Sequence, residues 1–248
     1  MRKIDEVFVH EVCLSEILEN RKDWLFNGNM KYADLRDVDL RGIDFTGVNL
    51  EKVYLTGADL RGVSLGNANL NDTNLEEVDL TGANLLCAKL IGANLACANL
   101  TYASLYRADL ENVDLKGANL FGANLSDTNL KNIMTNHLTR FFYIQCPEEG
   151  SFIGYKRAHN CLIKLLILED AKRSSATSKK CRCSKAKVLD IEDIETGEKI
   201  KKAYSNWERN FVYEVGKIVE VKDFCENRWR ECAPGIHFFI NKEDAITY

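Results

Sequence analysis

Cysteine and histidine are the side chains best able to hold a metal or attack a carbonyl, and several gather in the last third of the chain: Cys181, Cys183, Cys225, Cys232 and His237. Tetrahedral zinc sites favour tight pairs of ligands separated by two to four residues. Cys181-Arg-Cys183 leaves a gap of one and has no second tight pair, so the pattern reads as reduced, partly buried cysteine in strands, as do Cys146 and Cys161. A cysteine nucleophile needs a base beside it. His159 or His237 could serve, but nothing in the sequence shows either beside a thiol. No catalytic, cofactor-binding or metal-binding residue is assigned.

The second candidate chemistry is anion binding. Between Lys172 and Lys187 the chain carries seven positive charges and no acid: Lys172, Arg173, Lys179, Lys180, Arg182, Lys185 and Lys187. Clustered lysine and arginine with serine donors is what phosphate recognition needs, so this segment is a candidate for an anionic ligand or nucleic acid. A solvated basic loop entering a strand explains the same run. The net charge of −4 favours neither reading.

The element that carries the chain is a repeat. From Ala33 to Leu130 a large apolar residue recurs at every fifth position, from Leu35, Leu40 and Phe45 through to Leu130, and a small or β-branched residue precedes it by two. Asp or Asn usually stands between them. On an α-helix five residues advance about 500°, so successive leucines would wind around the axis. On a continuous strand they would alternate between faces. A short strand with two inward positions, then a corner, repeated, satisfies the pattern. That is a solenoid, whose repeats have no core until their neighbours stack on them. Glycine takes the same corner position in many repeats, such as Gly42 and Gly122, where a turn needs φ > 0. Other residues take it elsewhere, which predicts mixed turn types. The Asn and Asp before each leucine are expected to bond nearby backbone groups.

The uninterrupted A(D/N)LXX units resemble the pentapeptide-repeat proteins. The resemblance implies a mainly β fold: a right-handed quadrilateral β-helix with four pentapeptides per coil, about five coils and a rod about 24 Å long at the spacing of stacked strands. An N-terminal cap is expected over residues 1–32, the β-helix over 33–134 and a C-terminal α+β domain over 135–248. In the cap, Val7 and Val9 alternate as in a strand, and Val12, Leu14, Ile17, Leu18, Trp24 and Leu25 fall at roughly helical spacing up to Gly28. The segment ILENRKDWL is similar to the one leading into the repeats of many bacterial and phage members. A cap there would cover the open edge and leucine ring of the first coil.

After Leu130 the period fails, and a second domain begins near Phe141. Strand-like runs are expected over 141–145, 152–157, 162–168, 186–194, 211–221 and 236–240, with a helix over 242–248. KCRCSKAKVL and GIHFF resemble an uncharacterised C-terminal module that accompanies pentapeptide repeats in some bacterial and phage proteins. The tail from Cys232 to Phe239, with Ala245 and Tyr248, faintly resembles the strand-to-helix passage of ADP-ribosyltransferases, in which more catalytic sequence follows. Alternation of Ile236, Phe238 and Ile240 on a strand accounts for the same residues.

These features point to a noncatalytic scaffold or protein-interaction module without cofactors. A rival comes from the resemblance to quinolone-resistance pentapeptide proteins, in which a long acidic rod mimics DNA and binds gyrase. Between Ala33 and Asn132 there are 14 acids and eight bases, a diluted excess. With four pentapeptides per coil, Leu86 and Tyr106 stack on one face, and Ile91 and Phe121 take equivalent positions on adjoining faces with Tyr102 nearby. The early coils carry Arg36, Arg41, Glu51 and Arg61 at these sites. A contiguous apolar patch marks an interface, so Leu86, Ile91, Tyr102, Tyr106 and Phe121 form the candidate surface. Either the C-terminal domain folds back on it or a homo-oligomer forms there, and the second is favoured. No run of about 18 apolar residues and no signal segment is present, so the nine cysteines are expected to be reduced in the cytoplasm.

Overall fold

Inward positions two apart, repeated every five residues, leave the chain one way to bury its leucines. In the computed structural model, which describes residues 1–9, 12–15, 30–207 and 210–248, the leucine column from Leu35 to Leu125 is almost wholly buried, with Phe45 in line. The chain divides into two compact units, Met1–Phe142 and Tyr143–Tyr248. In the first, parallel bridges join residues twenty apart, as in the series Asp34, Tyr54, Asn74, Asn94, Asp114 and Met134. Four pentapeptides therefore complete each coil. Every level bonds to the next through the backbone: the Leu55 N–H donates to the Asn74 carbonyl at 2.8 Å and the Asn74 N–H to the Val53 carbonyl at 3.1 Å. Buried peptide groups are thus satisfied without a conventional sheet.

The corners are uniform, contrary to the mixed turns expected. The second corner residue of every pentapeptide from Asp37 to Asn132 has positive φ, between 54° at Cys87 and 73° at Gly47. The first turn hydrogen bonds, such as Ala58 N–H to the Leu55 carbonyl at 2.9 Å, match a type II turn. A coil closes only if every corner bends alike, so Glu77, Cys97, Tyr102 and Arg107 adopt a conformation that costs an L-residue about 1–2 kcal/mol. The preceding Asn or Asp offsets part of that strain. Its side-chain oxygen accepts the N–H two residues on, as Asn94 does from Ala96 at 3.0 Å and Asp114 from Lys116 at 2.9 Å. Threonine in the small-residue column is also satisfied: Thr73, 1 % exposed, donates its hydroxyl to the Leu50 carbonyl at 2.9 Å.

Both ends of the ladder use residues outside the regular repeat. At the start Arg2 pairs in parallel with Val38, and its guanidinium donates to the Arg36 carbonyl at 2.7 Å. The 3-10 turn Ile4–Glu6 and the hairpin of β1 (Phe8–Val9) and β2 (Val12–Cys13) follow, with Val7, Val9 and Leu14 buried. Most of the expected cap helix, including Trp24 and Gly28, lies outside the described residues. At the far end the ladder outlasts the sequence period: Asn119 pairs with Arg140, a step of 21 instead of 20. One extra residue between Met134 and Arg140 breaks the sequence pattern, while Thr139 still points inward and bonds the Leu115 carbonyl at 3.0 Å.

The second unit is built of antiparallel sheets. One has the order β10-β7-β4-β3, from β3 (Phe152–Ala158), β4 (Cys161–Ile167), β7 (Lys185–Asp193) and β10 (Ile218–Glu220). Another has the order β11-β6-β5, from β5 (Arg173–Ser175), β6 (Cys181–Cys183) and β11 (Ile236–Phe238). The pair β8 (Lys202–Tyr204) and β9 (Val212–Glu214) stands beside them. Tyr155 and Phe239 exchange two backbone bonds of 2.7 Å, which join the first two sheets. A Cβ on Gly154 would come within 2.6 Å of the Phe238 ring, so the absence of a side chain there lets the sheets close. Helix α1 (Lys242–Thr247) is capped by the Asn241 side chain, which accepts from the Glu243 N–H at 2.8 Å.

Three expectations for this unit need correction. Residues 141–145 form turns, not a strand, and the Gln145 N–H is taken by the Ser175 hydroxyl. The run 211–221 splits at Gly216, whose φ is 85°, into β9 and β10. Finally, β5 and β6 lie inside the basic segment that read as a loop.

Candidate functional site

The five candidate interface residues occupy three consecutive corner columns of the solenoid, each of which gathers both turn residues of every fourth pentapeptide. Phe121 lies in the first, Leu86 and Tyr106 in the second and Ile91 in the third. In the first column the Tyr102 and Phe121 rings meet edge to face at 5.4 Å, and Phe121 meets Phe141 at 4.9 Å. Tyr102 folds over Gly122, where a Cβ would lie 2.5 Å from its ring. Phe141 was not visible as part of this strip, since it follows the extra residue and falls out of period. In the second column Leu86 is exposed, and Tyr106 is half-buried with the Arg107 guanidinium 5.0 Å from its ring. In the third, Ile91 is followed one coil on by Glu111, which pairs with Lys131 at 2.8 Å. The apolar surface is thus an aromatic strip with Leu86 and Tyr106 on the next column.

The early coils are polar, and three of their aspartates are paired with arginine. Asp39 grips the Arg41 guanidinium with both oxygens at 2.8 and 2.6 Å, and Asp34 and Asp59 do the same with Arg36 and Arg61. The bonded guanidinium brings the Asp39 carboxyl down to about 2 and holds that of Asp34 well below the carboxylate range. The acidic excess counted along the solenoid is therefore interleaved with paired arginine.

The basic segment is not an exposed cluster. Arg182, on β6, is 2 % exposed; it donates to the Asn227 carbonyl at 3.0 Å and lies 5.6 Å from the Phe224 ring. Arg173 gives one nitrogen to the carbonyls of Gly150 at 2.6 Å and Leu168 at 2.8 Å. Lys172 pairs with Glu226, Lys179 with Asp244 at 2.8 Å and Lys185 with Asp170 at 2.5 Å. Lys187 is exposed on β7. Of the seven candidates Lys180 lines a cavity, and it is otherwise buried.

That cavity, of about 960 Å³, lies wholly within the second unit. Lys156 reaches it from β3, His237 from β11 and Tyr213 from β9. Lys180 donates to the Tyr248 hydroxyl at 2.8 Å. The Lys156 ammonium stands 5.8 Å from the Tyr213 ring; burial, then the field of Lys180, brings its pKa down to about 8. His237 is pushed down to about 4 by burial and by Lys180, Lys156 and Arg182, and its Nε2 is buried without a hydrogen-bond partner. Neither Lys156 nor Tyr213 carried a signal in the sequence, since each reads as an ordinary strand residue.

The cysteines divide by burial. Cys181 and Cys183 are fully buried on β6, and burial pushes the Cys183 thiol up to about 12. The Cys181 thiol is raised as well, by its contact with Cys146 and then by burial, so both favour the protonated form. Cys225 is half-buried and Cys232 exposed, and all nine cysteines are unpaired.

The coil geometry and its corners place the first unit among β-helical solenoids of five-residue repeats, and comparison with known families agrees: the pentapeptide-repeat family matches residues 29–67, 58–95 and 93–132. The chain is a pentapeptide-repeat protein with a separate C-terminal region, residues 142–245, that matches a family of unknown function, DUF5758. No curated protein matches it. Among solved structures it is similar to HetL, a pentapeptide-repeat protein involved in heterocyst differentiation regulation in the cyanobacterium Nostoc sp. strain PCC 7120, at 37% identity over 44% of this chain, with a TM-score of 0.43. The match spans about half of HetL, 52%. It is also similar to Rfr23 from the cyanobacterium Cyanothece 51142, at 33% identity over 49% of this chain and 97% of that one, with a TM-score of 0.30. A weaker likeness, 19% identity over 42% of this chain and 61% of the other with a TM-score of 0.26, is to QnrB1, a plasmid-mediated fluoroquinolone resistance protein.

Proposed function

We propose that the solenoid is a noncatalytic protein-interaction module that works as a homo-oligomer in a reducing cytoplasm. The observation that carries this reading is the aromatic strip of Tyr102, Phe121 and Phe141 with Leu86 and Tyr106 on the next column, following coils in which Asp39 and Asp59 are paired with arginine. Exposed aromatic surface beside a polar one is the composition of an interface. The turn-forming Asp and Asn spend their oxygens on backbone N–H groups, which leaves them poorly placed to act as acids or bases.

Light scattering on the full chain tests the proposal. The wild type is expected to show a mass above that of the monomer at micromolar concentration, and Leu86→Lys with Tyr106→Glu is expected to reduce it to monomer. A monomeric wild type removes the oligomer. An oligomer that survives both changes moves the contact off these columns.

The rival reading is a duplex mimic acting on a DNA-handling protein such as gyrase, supported by the net acidic count. Pairing of Asp34, Asp39 and Asp59 with arginine works against it, since a mimic must present unbalanced negative charge. No inhibition of gyrase supercoiling is expected from the purified chain in large excess. Inhibition at stoichiometric concentration would reverse the ranking.

A further inference from the structure

The cavity of the second unit gathers positive charge. Lys156 and Lys180 both face it, and among the described residues neither forms an ion pair with a carboxylate. Among the described residues, the nearby acids include Asp223, at the cavity wall, and Glu231, whose field supports the charge on Lys180. Two lysines sharing a half-enclosed space repel each other and lose hydration, an arrangement that persists where an anion occupies the space. His237 adds an orphaned buried nitrogen, Nε2: its ring also bonds the Glu231 backbone, and an anion in the cavity would favour the protonated ring, which donates from both nitrogens.

The cavity wall is also aromatic. The Phe211 and Tyr213 rings pack at 5.2 Å, and Trp207 stands at the rim with 92 % of its surface open. A large indole left in water beside a cationic cavity is a platform for a planar group. The volume lies within the range of small-molecule sites, roughly 300–1,000 Å³, and fits a mononucleotide better than a bare phosphate.

We infer that this cavity binds a phosphorylated small molecule with a planar ring, of the nucleoside-phosphate class, its phosphate held between Lys156, Lys180 and His237 and its ring against Trp207 and Phe211. This goes beyond the interaction role of the solenoid and does not depend on it. It also relocates the anion site suggested by the basic segment: only Lys180 of that run takes part, joined by groups from β3, β11 and the chain after β8.

Calorimetry on the full chain with AMP, GMP, ribose 5-phosphate and inorganic phosphate tests the assignment. AMP or GMP is expected to bind with a Kd below about 1 mM and at least about tenfold more tightly than ribose 5-phosphate or inorganic phosphate. Lys156→Gln is expected to weaken the nucleotide by about tenfold or more. Trp207→Ala, at an exposed position that leaves folding intact, is expected to weaken the nucleotide but not ribose 5-phosphate. No heat from any probe at about 5 mM overturns the site. Equal affinity for phosphate and nucleotide overturns the ring contact. Unchanged binding by a Lys156→Gln protein with wild-type circular dichroism overturns the role of the lysines, and tighter binding of a single-stranded oligonucleotide than of AMP overturns the small-molecule class.

Discussion

Leu85→Asp is expected to abolish cooperative unfolding of the solenoid, whereas Lys89→Asp, four residues on, leaves it intact. Leu85 has no exposed surface and lies in the same column as Leu65 and Leu105, both equally dry. Removing it forfeits the packing of a buried leucine, about 2–5 kcal/mol, and the carboxylate that replaces it must be desolvated or protonated at further cost. A stack of repeats is stable only through its neighbours, so a defect at mid-length leaves two short pieces on either side. Lys89 holds the position that Asp or Asn takes in most repeats, and it is exposed. The Ile91 N–H nearby is already taken by the Asn71 side-chain oxygen at 3.0 Å, so the substitution strands no backbone group and a change within about 0.5 kcal/mol is expected. Urea unfolding followed by circular dichroism compares the two. A Leu85→Asp midpoint equal to wild type would mean that the column does not face inward.

Arg182→Ala should produce the other large loss, about 3 kcal/mol or more, from the second unit. The guanidinium reaches the carbonyls of Asn227 at 3.0 Å and Pro234 at 3.4 Å and the Ser174 hydroxyl at 3.4 Å. Truncation strands these groups in a protein interior and opens a cavity between β6 and the chain before β11. Lys179→Ala, three residues earlier in the same basic run, breaks only an exposed pair with Asp244, and less than about 1 kcal/mol should follow. Tryptophan fluorescence during urea unfolding reports the comparison. Equal losses from the two substitutions would return the whole segment to solvent.

This contrast shows what could be read from the chain before its fold was known. A five-residue period is visible because every repeat needs the same two inward side chains, and the turn-stabilising role of Asn and Asp follows from their place beside the corner. Corner conformation was hidden, since Cys87, Glu77 and Tyr102 give no local sign that they take the left-handed shape of glycine. The last coil was hidden for a different reason. Ladder bonds use only the backbone, so Arg140 can pair with Asn119 after the leucines have stopped.

In the second unit, β4 and β7 were legible from their apolar and β-branched runs. The strands β5 and β6 were not, because Ser174, Ser175 and Arg182 are buried by partners distant in sequence instead of by an apolar pattern. The cavity was unreadable on the same ground. Lys156, Lys180 and His237 meet only because two separate strands and a connecting segment converge, and no spacing encodes that convergence.

The twenty-residue circuit of the solenoid separates what holds it together from what it displays. An inserted or deleted block of five residues would keep every leucine inside and every corner bent, so folding would hardly register the change. Everything downstream would nevertheless turn by one side of the square: Tyr106 would leave its place above Leu86 and face a different partner. Only a block of twenty preserves both core and display. Among relatives, changes of length in fives would therefore redraw the surface while those in twenties extend it, and a count of repeats modulo four would sort proteins that share a face from those that share only a fold.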